Sequence, residues 1–188
     1  MTLLSDRLIK VHLALDGSSI EHAFGGAIAL AYWTLDPRGT SDIDVNIFVP
    51  ASDCAQALEA LPHQIAVPSD TVTVIERDGQ TRLWWDRTPV DVFFDYLQVH
   101  AEASKNRRIV PYEDTEIPIL GPIELAIFKA MFDRTRDWAD IEDMIEAETL
   151  DLDAVREELA RLVGRDDTRF ARLDEATKRA DASRARRS

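Results

Sequence analysis

Apolar side chains recur at helical spacing over residues 3–15, LLSDRLIKVHLAL, which predicts an opening helix. Gly17-Ser18-Ser19 breaks it, and the short run Ile20 to Phe24 reads as a strand or turn. Gly25-Gly26 then leads into AIALAYW (27–33), an apolar stretch expected to form a buried helix that stops at Asp36-Pro37-Arg38-Gly39. The segment Ser41 to Pro50, SDIDVNIFVP, alternates polar with apolar and then becomes wholly apolar, the pattern of a central strand. A helix follows in SDCAQALEALP, with Ser52 or Asp53 as its cap. Thr71–Arg77, Thr81–Trp85 and Val90–Tyr96 read as three further strands, the first two separated by a turn at Asp78-Gly79.

From Gly121 the pattern turns helical, with stretches near 122–147, 151–163 and 167–183, the first either continuous or broken near Thr135. Pro111 and Pro118 flank the changeover. The expected organisation is an α/β domain over 1–110 and a helical domain over 111–188. In fold class this is α/β (α+β): a mixed sheet with flanking helices, followed by a helical C-terminal lobe.

Composition narrows the possibilities. A chain of 188 residues, 45% hydrophobic, can bury a core without disulfides or a structural metal. The single Cys54 excludes an internal disulfide framework and a multi-cysteine zinc site, and its place on an apolar helix face predicts an inert thiol. Asp6, Arg7, Lys10 and Asp16 interrupt the first residues, so no secretory segment is expected there, and no apolar run approaches the roughly 20 residues that cross a bilayer. A soluble, cytoplasmic protein with no membrane partner is expected. The 22 Lys+Arg against 35 Asp+Glu give a formal charge of -13, a field that repels polyanions. The charge is uneven: Asp137–Glu158 holds ten acids and one base, while Arg165–Ser188 holds eight bases and five acids. That tail, with Lys105, Arg107 and Arg108, is the place where a polyanion could still meet the chain.

The chemistry-bearing residues cluster around the glycine pair. Twelve residues after Gly26 comes Arg38-Gly-Thr-Ser-Asp-Ile-Asp-Val45. Asp42 and Asp44 are two apart on a predicted strand, so both carboxylates leave the same face. Like charges so close to a core strand are costly unless a cation or hydrogen-bond donors neutralise them. Asp91, flanked by apolar residues in VDVFFD, offers a third carboxylate on a second strand and should lie deeper than Asp95. Oxygen donors of this kind suit Mg²⁺ (or Mn²⁺), and three of them can hold two divalent ions for in-line phosphoryl transfer. A Gly-Gly turn before a helix exposes backbone N–H groups to a phosphate, and Arg38 and Thr40 would add a cation and a hydroxyl at the same mouth. Taken singly, a glycine pair or an Asp-x-Asp is common in ordinary turns and strand ends, and Asp91 could simply pair with Arg87; their order and context make them specific.

These residues resemble the nucleotidyltransferase fold superfamily, whose pattern is a glycine pair or Gly-Ser, then Asp-x-Asp, then a third acid. GGAIALAY, RGTSDIDV and KAMFDRTRDWADIEDM are closer to one branch, the AbiEii-like toxins of bacterial toxin–antitoxin systems, including the mycobacterial MenT group. The resemblance implies that Gly25, Gly26 and Thr40 line a triphosphate site, that Asp42 and Asp44 bind metal, and that Lys129 and Asp140 complete the site. Spacing adds its own argument: Lys129, Asp133, Arg136 and Asp140 share one face if the helix is continuous, since eleven steps of 100° return to within about 20°. The alternative is a solvated face of i,i+4 ion pairs. The chain departs from the family in having Gly25-Gly26 where Gly-Ser is frequent, and both Asp137-x-x-Asp140 and Asp140-x-x-Asp143 fit the last motif; Asp140 belongs to both.

The expected function is therefore metal-dependent transfer of a nucleoside monophosphate from an NTP, with pyrophosphate released. Asp91 would help a second ion or act as base, and Arg38, Thr40 and Lys129 would position phosphates. The toxin branch implies the 3′ end of tRNA as acceptor and a cognate antitoxin protein as partner. Alternatives are AMP transfer to a protein side chain, which the acidic bulk favours, and an inactive antitoxin or scaffold. His12, His22, His63 and His100 are scattered, with His22 expected to pack at a strand start. Trp84 and Trp85 alternate faces, so at least one of them should be core.

Overall fold

The computed structural model describes residues 3–95 and 98–187, which divide into two compact units. The first comprises residues 1–28 and 39–120, the second 29–38 and 121–188.

The first unit opens with α1 (Leu4–Gly17), whose Leu8, Val11 and Leu15 are fully buried, as the three-to-four residue spacing requires. β1 (His22–Phe24) follows, and α2 (Gly26–Thr34) starts directly after Gly25. β2 (Ile43–Pro50) leads through a 3-10 turn at 51–53 into α3 (Cys54–Ala60). Next come β3 (Ile65–Ala66), α4 (Thr71–Asp78), β4 (Gln80–Trp85) and β5 (Thr88–Asp95). α5 (Gln98–Asn106) and the hairpin of β6 (Arg108–Tyr112) and β7 (Thr115–Ile119) close the unit. The seven strands form one sheet in the order β3-β4-β5-β2-β1-β7-β6. β2 runs parallel to β5 and β1 parallel to β7, while the remaining neighbours are antiparallel.

Alternation along the central strands sorts the two faces. Ile43, Val45 and Ile47 on β2, Val90, Val92 and Phe94 on β5, and Leu83 and Trp85 on β4 are buried together on one side. The opposite side carries Asp44, Asp91 and Arg82, so the strands that build the core also present the polar groups. Arg7 of α1, itself buried, ties that helix to the β4–β5 turn: it donates to the Trp85 carbonyl, to Thr88 Oγ1 at 2.8 Å and to Asp86 Oδ2 at 2.7 Å.

Thr71–Arg77 is a helix, not the strand that its alternation suggests. Its buried positions are Thr71 and Ile75, four apart, and Gly79 ends it with φ 71°, its N–H donating to the Ile75 carbonyl at 2.7 Å. Asp78-Gly79 is thus a helix end rather than a hairpin turn. Tyr96, expected to finish the β5 strand, lies outside the described residues.

The second unit holds residues 29–34 of α2, then α6 (Pro122–Phe132), α7 (Thr135–Glu146), α8 (Leu152–Val163) and α9 (Arg169–Arg187). The stretch 122–147 is broken. Asp133 adopts φ 59° at the end of α6, and Arg134 is extended before α7 begins. The break is held in place because the Asp133 carboxylate accepts from Trp138 Nε1 at 2.7 Å and from Arg172 at 2.6 Å. α9 pairs its bases with the acids around α7: Arg179 with Glu142 at 2.6 Å, Arg184 with Glu148 at 2.8 Å, Arg187 with Glu146 at 3.1 Å. Three of the eight bases in the basic tail are thus counter-charges for the acidic stretch of its own unit. Among the described residues, no helix is long and apolar enough to cross a membrane.

Candidate functional site

In the first unit, strand register brings the predicted acids together. Asp44 on β2 stands directly across from Asp91 on β5, and Asp91 stands across from Arg82 on β4. The result is a row of two carboxylates and one guanidinium on three adjacent strands. Asp42 precedes β2 by one residue and accepts a hydrogen bond from Thr40 Oγ1, so the loop hydroxyl is tied to the first acid. Asp91 does not pair with Arg87. It accepts a two-pronged bond from Arg82, Nε to Oδ1 and Nη2 to Oδ2, both at 2.7 Å. Hydrogen bonding and the charge of Asp91, together with the charges of Asp42 and Asp44, hold the Arg82 guanidinium more basic than usual.

Both glycines pack closely against what lies across the strand, and Gly26 is the one that the geometry requires. The Gly25 N–H donates to the Asp44 carbonyl at 2.9 Å, and a Cβ on Gly25 would lie 3.1 Å from Asn46 Nδ2 and 3.2 Å from Leu120 Cδ1. Gly26 has φ +51°, and a Cβ there would fall 1.8 Å from Asp44 Oδ2 and 2.6 Å from its Cγ. The Asp44 carboxylate therefore rests against the first residue of α2, where the helix dipole favours negative charge.

In the second unit, three other predicted residues meet. Asp140, 1% exposed, accepts from Lys129 Nζ at 2.6 Å and from Arg38 Nη2 at 2.8 Å, with Arg38 Nη1 on its other oxygen. Burial alone would raise the Asp140 carboxyl, but its bonds to Arg38 and Lys129 and their charges outweigh this and hold it below the usual range. Asp143 moves the other way, pushed up by burial first and then by the charges of Asp140 and Glu146. Lys129 is itself buried, while Arg38 is partly open; its Nε is buried with no hydrogen-bond partner among the described residues. The single polar stripe Lys129–Asp133–Arg136–Asp140 does not exist, because the chain breaks at Asp133 and Arg136 is exposed. Lys129 and Asp140 meet across the α6–α7 corner instead. Asp137, the competing motif residue, braces the start of α7 through Arg134 at 2.7 Å.

Arg82 is the site residue that sequence reasoning missed. A signal for it existed: if Trp85 and Thr88 flank a two-residue turn, the antiparallel register places Arg82 opposite Asp91. His22 is buried at the start of β1 and donates from Nδ1 to the Ile20 carbonyl at 2.9 Å, and its Nε2 lies 3.0 Å from His12 Nδ1. Cys54 is fully buried, and burial pushes its thiol up. Trp85 is buried, as expected of at least one of the pair, and Trp84 is 47% exposed.

The donor set agrees in kind with a hard divalent cation, since Asp42, Asp44 and Asp91 offer only oxygens and Gly26 leaves room for the Asp44 carboxylate. In arrangement it is incomplete: among the described residues no three acidic, histidine or cysteine side chains are grouped to hold an ion, and both Asp91 oxygens already face Arg82.

No protein-family model matches the chain, and no curated protein matches it in sequence. Solved structures do. The solution structure of the antibiotic-resistance factor ANT(2'')-Ia aligns over 91% of this chain and 95% of its own, with TM-score 0.54 and 13% identity. An antigenic nucleotidyltransferase-like protein from Paracoccidioides brasiliensis aligns over 89% of this chain and 91% of its own at 17% identity, TM-score 0.44. JHP933 from Helicobacter pylori aligns over 95% and 88% at 16% identity, TM-score 0.46. The mixed sheet followed by helices is a nucleotidyltransferase-type fold.

Proposed function

We propose that this chain is a metal-dependent nucleotidyltransferase that moves a nucleoside monophosphate from an NTP to an acceptor hydroxyl and releases pyrophosphate. The observation that carries the reading is the register of Asp44 against Asp91, with the Gly25-Gly26 backbone closing on Asp44 and Thr40 bonded to Asp42. Asp42 and Asp44 would hold Mg²⁺ or Mn²⁺, which when bound supplies charge neutralisation at the reacting phosphate. Asp91, on the neighbouring strand, would support a second ion or accept the proton of the acceptor hydroxyl. Thr40 orients the Asp42 carboxylate, and the side-chain-free turn at Gly25-Gly26 lets the Asp44 carboxylate rest against the start of α2, with the Gly25 N–H donating to the Asp44 carbonyl. Most of the rate would come from alignment and fixed charge, because phosphoryl transfer asks little covalent work of the protein. In the second unit, Asp140 holds the cations of Lys129 and Arg38 in fixed positions, and an anion-directed role is proposed for both.

For the acceptor, the resemblance to AbiEii-like and MenT-like toxins points to the 3′ end of tRNA, with a cognate antitoxin as partner. A second reading, AMP transfer to a protein side chain, gains from the ion pairs: Arg107 engages Glu21, Lys105 engages Glu102, and Arg179, Arg184 and Arg187 engage acids near α7. These bases would otherwise draw RNA against the -13 net charge. The test is incubation with Mg²⁺, each α-labelled NTP and total tRNA or candidate protein, with Asp44→Ala alongside. Label on tRNA that is absent in the variant is the expected result. Label on protein selects the second reading, and equal turnover by Asp44→Ala overturns the metal assignment.

A further inference from the structure

Arg82 is a cation built into a row of acids. It is on β4, opposite Asp91 and one strand further from Asp44, and its fork covers both Asp91 oxygens at 2.7 Å. The geometry is that of the strongest side-chain ion pair, two parallel N–H···O bonds that take a lone pair from each oxygen. The Asp91 side chain is 16% exposed, whereas that of Arg82 is 53% exposed. The carboxylate is fixed in the sheet, while the guanidinium reaches it from solvent and can swing away without disturbing the core. β4 supports this freedom, because Arg82 and Trp84 point out while Leu83 and Trp85 anchor the strand on the buried side.

We infer that Arg82 is the resident counter-cation of the carboxylate row and competes with a divalent ion for Asp91, so that the row fills completely only when the fork opens. This inference rests on the metal-dependent reading above and adds a positioning residue to it. With the fork closed, Asp91 is neutralised and the free protein avoids the repulsion of Asp44 and Asp91 on adjacent strands. With the fork open, Asp91 becomes a ligand, and the guanidinium, still on the same face, is released to donate to a phosphate oxygen. The competition predicts a sign that structural damage would not: removing Arg82 should strengthen metal binding.

The test is Mn²⁺ binding to the intact protein without nucleotide, followed by titration calorimetry and by the loss of the free-ion electron paramagnetic resonance signal. Wild type is compared with Arg82→Gln, Arg82→Lys and Asp44→Asn, with circular dichroism confirming the fold of each. Arg82→Gln is expected to bind Mn²⁺ roughly fivefold more tightly, the factor that an exposed ion pair and a nearby like charge can account for. Arg82→Lys, which keeps the charge without the fork, should fall between. If wild type binds Mn²⁺, Asp44→Asn loses it, and Arg82→Gln binds equally or more weakly, the competition is overturned while the metal-dependent reading stands. If wild type binds no Mn²⁺, both are overturned.

Discussion

Replacing Gly26 by alanine asks how closely the α2 start is fitted to Asp44. Two costs arise. The backbone at Gly26 is left-handed, φ +51°, which an L-residue adopts at about 1–2 kcal/mol. The added Cβ would also lie 1.8 Å from Asp44 Oδ2, 2.6 Å from Cγ and 3.1 Å from Cβ. Turning the carboxylate about its last bond moves the oxygen but not Cγ, so Asp44 must change its first torsion, at about 0.5–1.5 kcal/mol if it leaves a rotamer well. The total is about 1.5–3.5 kcal/mol, or roughly 3–14 °C in Tm for a chain of this length. The same movement takes the carboxylate out of line with Asp91, so nucleotide transfer should fall much further than stability. Thermal unfolding and the labelled-NTP assay, run on Gly26→Ala, Asp44→Ala and the double variant, check this. The double variant should recover about 1 kcal/mol relative to the sum of the singles, because the overlapping Asp44 oxygen and Cγ are gone. Strict additivity, or a Gly26→Ala protein with wild-type melting and turnover, would refute the reasoning.

Two further perturbations read the buried charges. His22 is pushed down from 6.5 to about 4, by burial first, against the raising effect of its bond to the Ile20 carbonyl; His12, Asp16 and Arg107 add smaller effects. A histidine depressed on folding contributes stability that is complete above pH 6.5 and is lost as the pH falls toward 4, here about 3 kcal/mol. Urea midpoints across that window should fall less steeply for His22→Asn than for wild type, and parallel curves would count against the assignment. Asp140→Ala leaves Lys129 buried without its partner and should cost about 3–5 kcal/mol in chemical denaturation, whereas Asp140→Leu with Lys129→Met should cost much less. Equal losses in the two proteins would show that Lys129 finds another partner. Asp140 itself is depressed, so its share of stability is present above the unfolded carboxylate range and disappears as acid titrates it.

What was legible in the sequence was what local pattern determines. The alternation of Ser41–Pro50 marks β2 and sets Asp44 on the face away from Ile43 and Val45, whereas Asp42 falls one residue before the strand. Thr71–Asp78 was misleading because its β-branched residues mimic a strand, and the packing of Thr71 and Ile75 four residues apart overrules that preference. β3, β6 and β7 were not separately readable, since two are short or at an edge and the third carries a proline, so none shows a long alternation. At the site, Lys129 and Asp140 come together by a route that periodicity does not describe. The left-handed Asp133 turns the chain, and side-chain bonds to Trp138 and Arg172 hold the turn. Arg82 needed the register of a hairpin, and the pairing of the basic tail needed the third dimension altogether.

The division of α2 bears on how the chain folds as it is made. Its first residues, Gly26 to Ile28, belong with the sheet, while Ala29 to Arg38 belong with residues 121–188. A ribosome adding about 5–20 residues per second needs roughly 4–17 s to pass from Arg38 to Gly121. Throughout that interval Ala29 and Leu30, the buried residues of α2, lack the second-unit helices with which they are grouped. The sheet waits as well, because β1, complete by Phe24, takes β7 as one of its two neighbours, and β7 ends at Ile119. A nascent chain stopped before residue 121 would therefore lack the helices with which Ala29 and Leu30 are grouped. The second unit groups residues 29–38 with residues 121–188, so neither stretch can complete it alone.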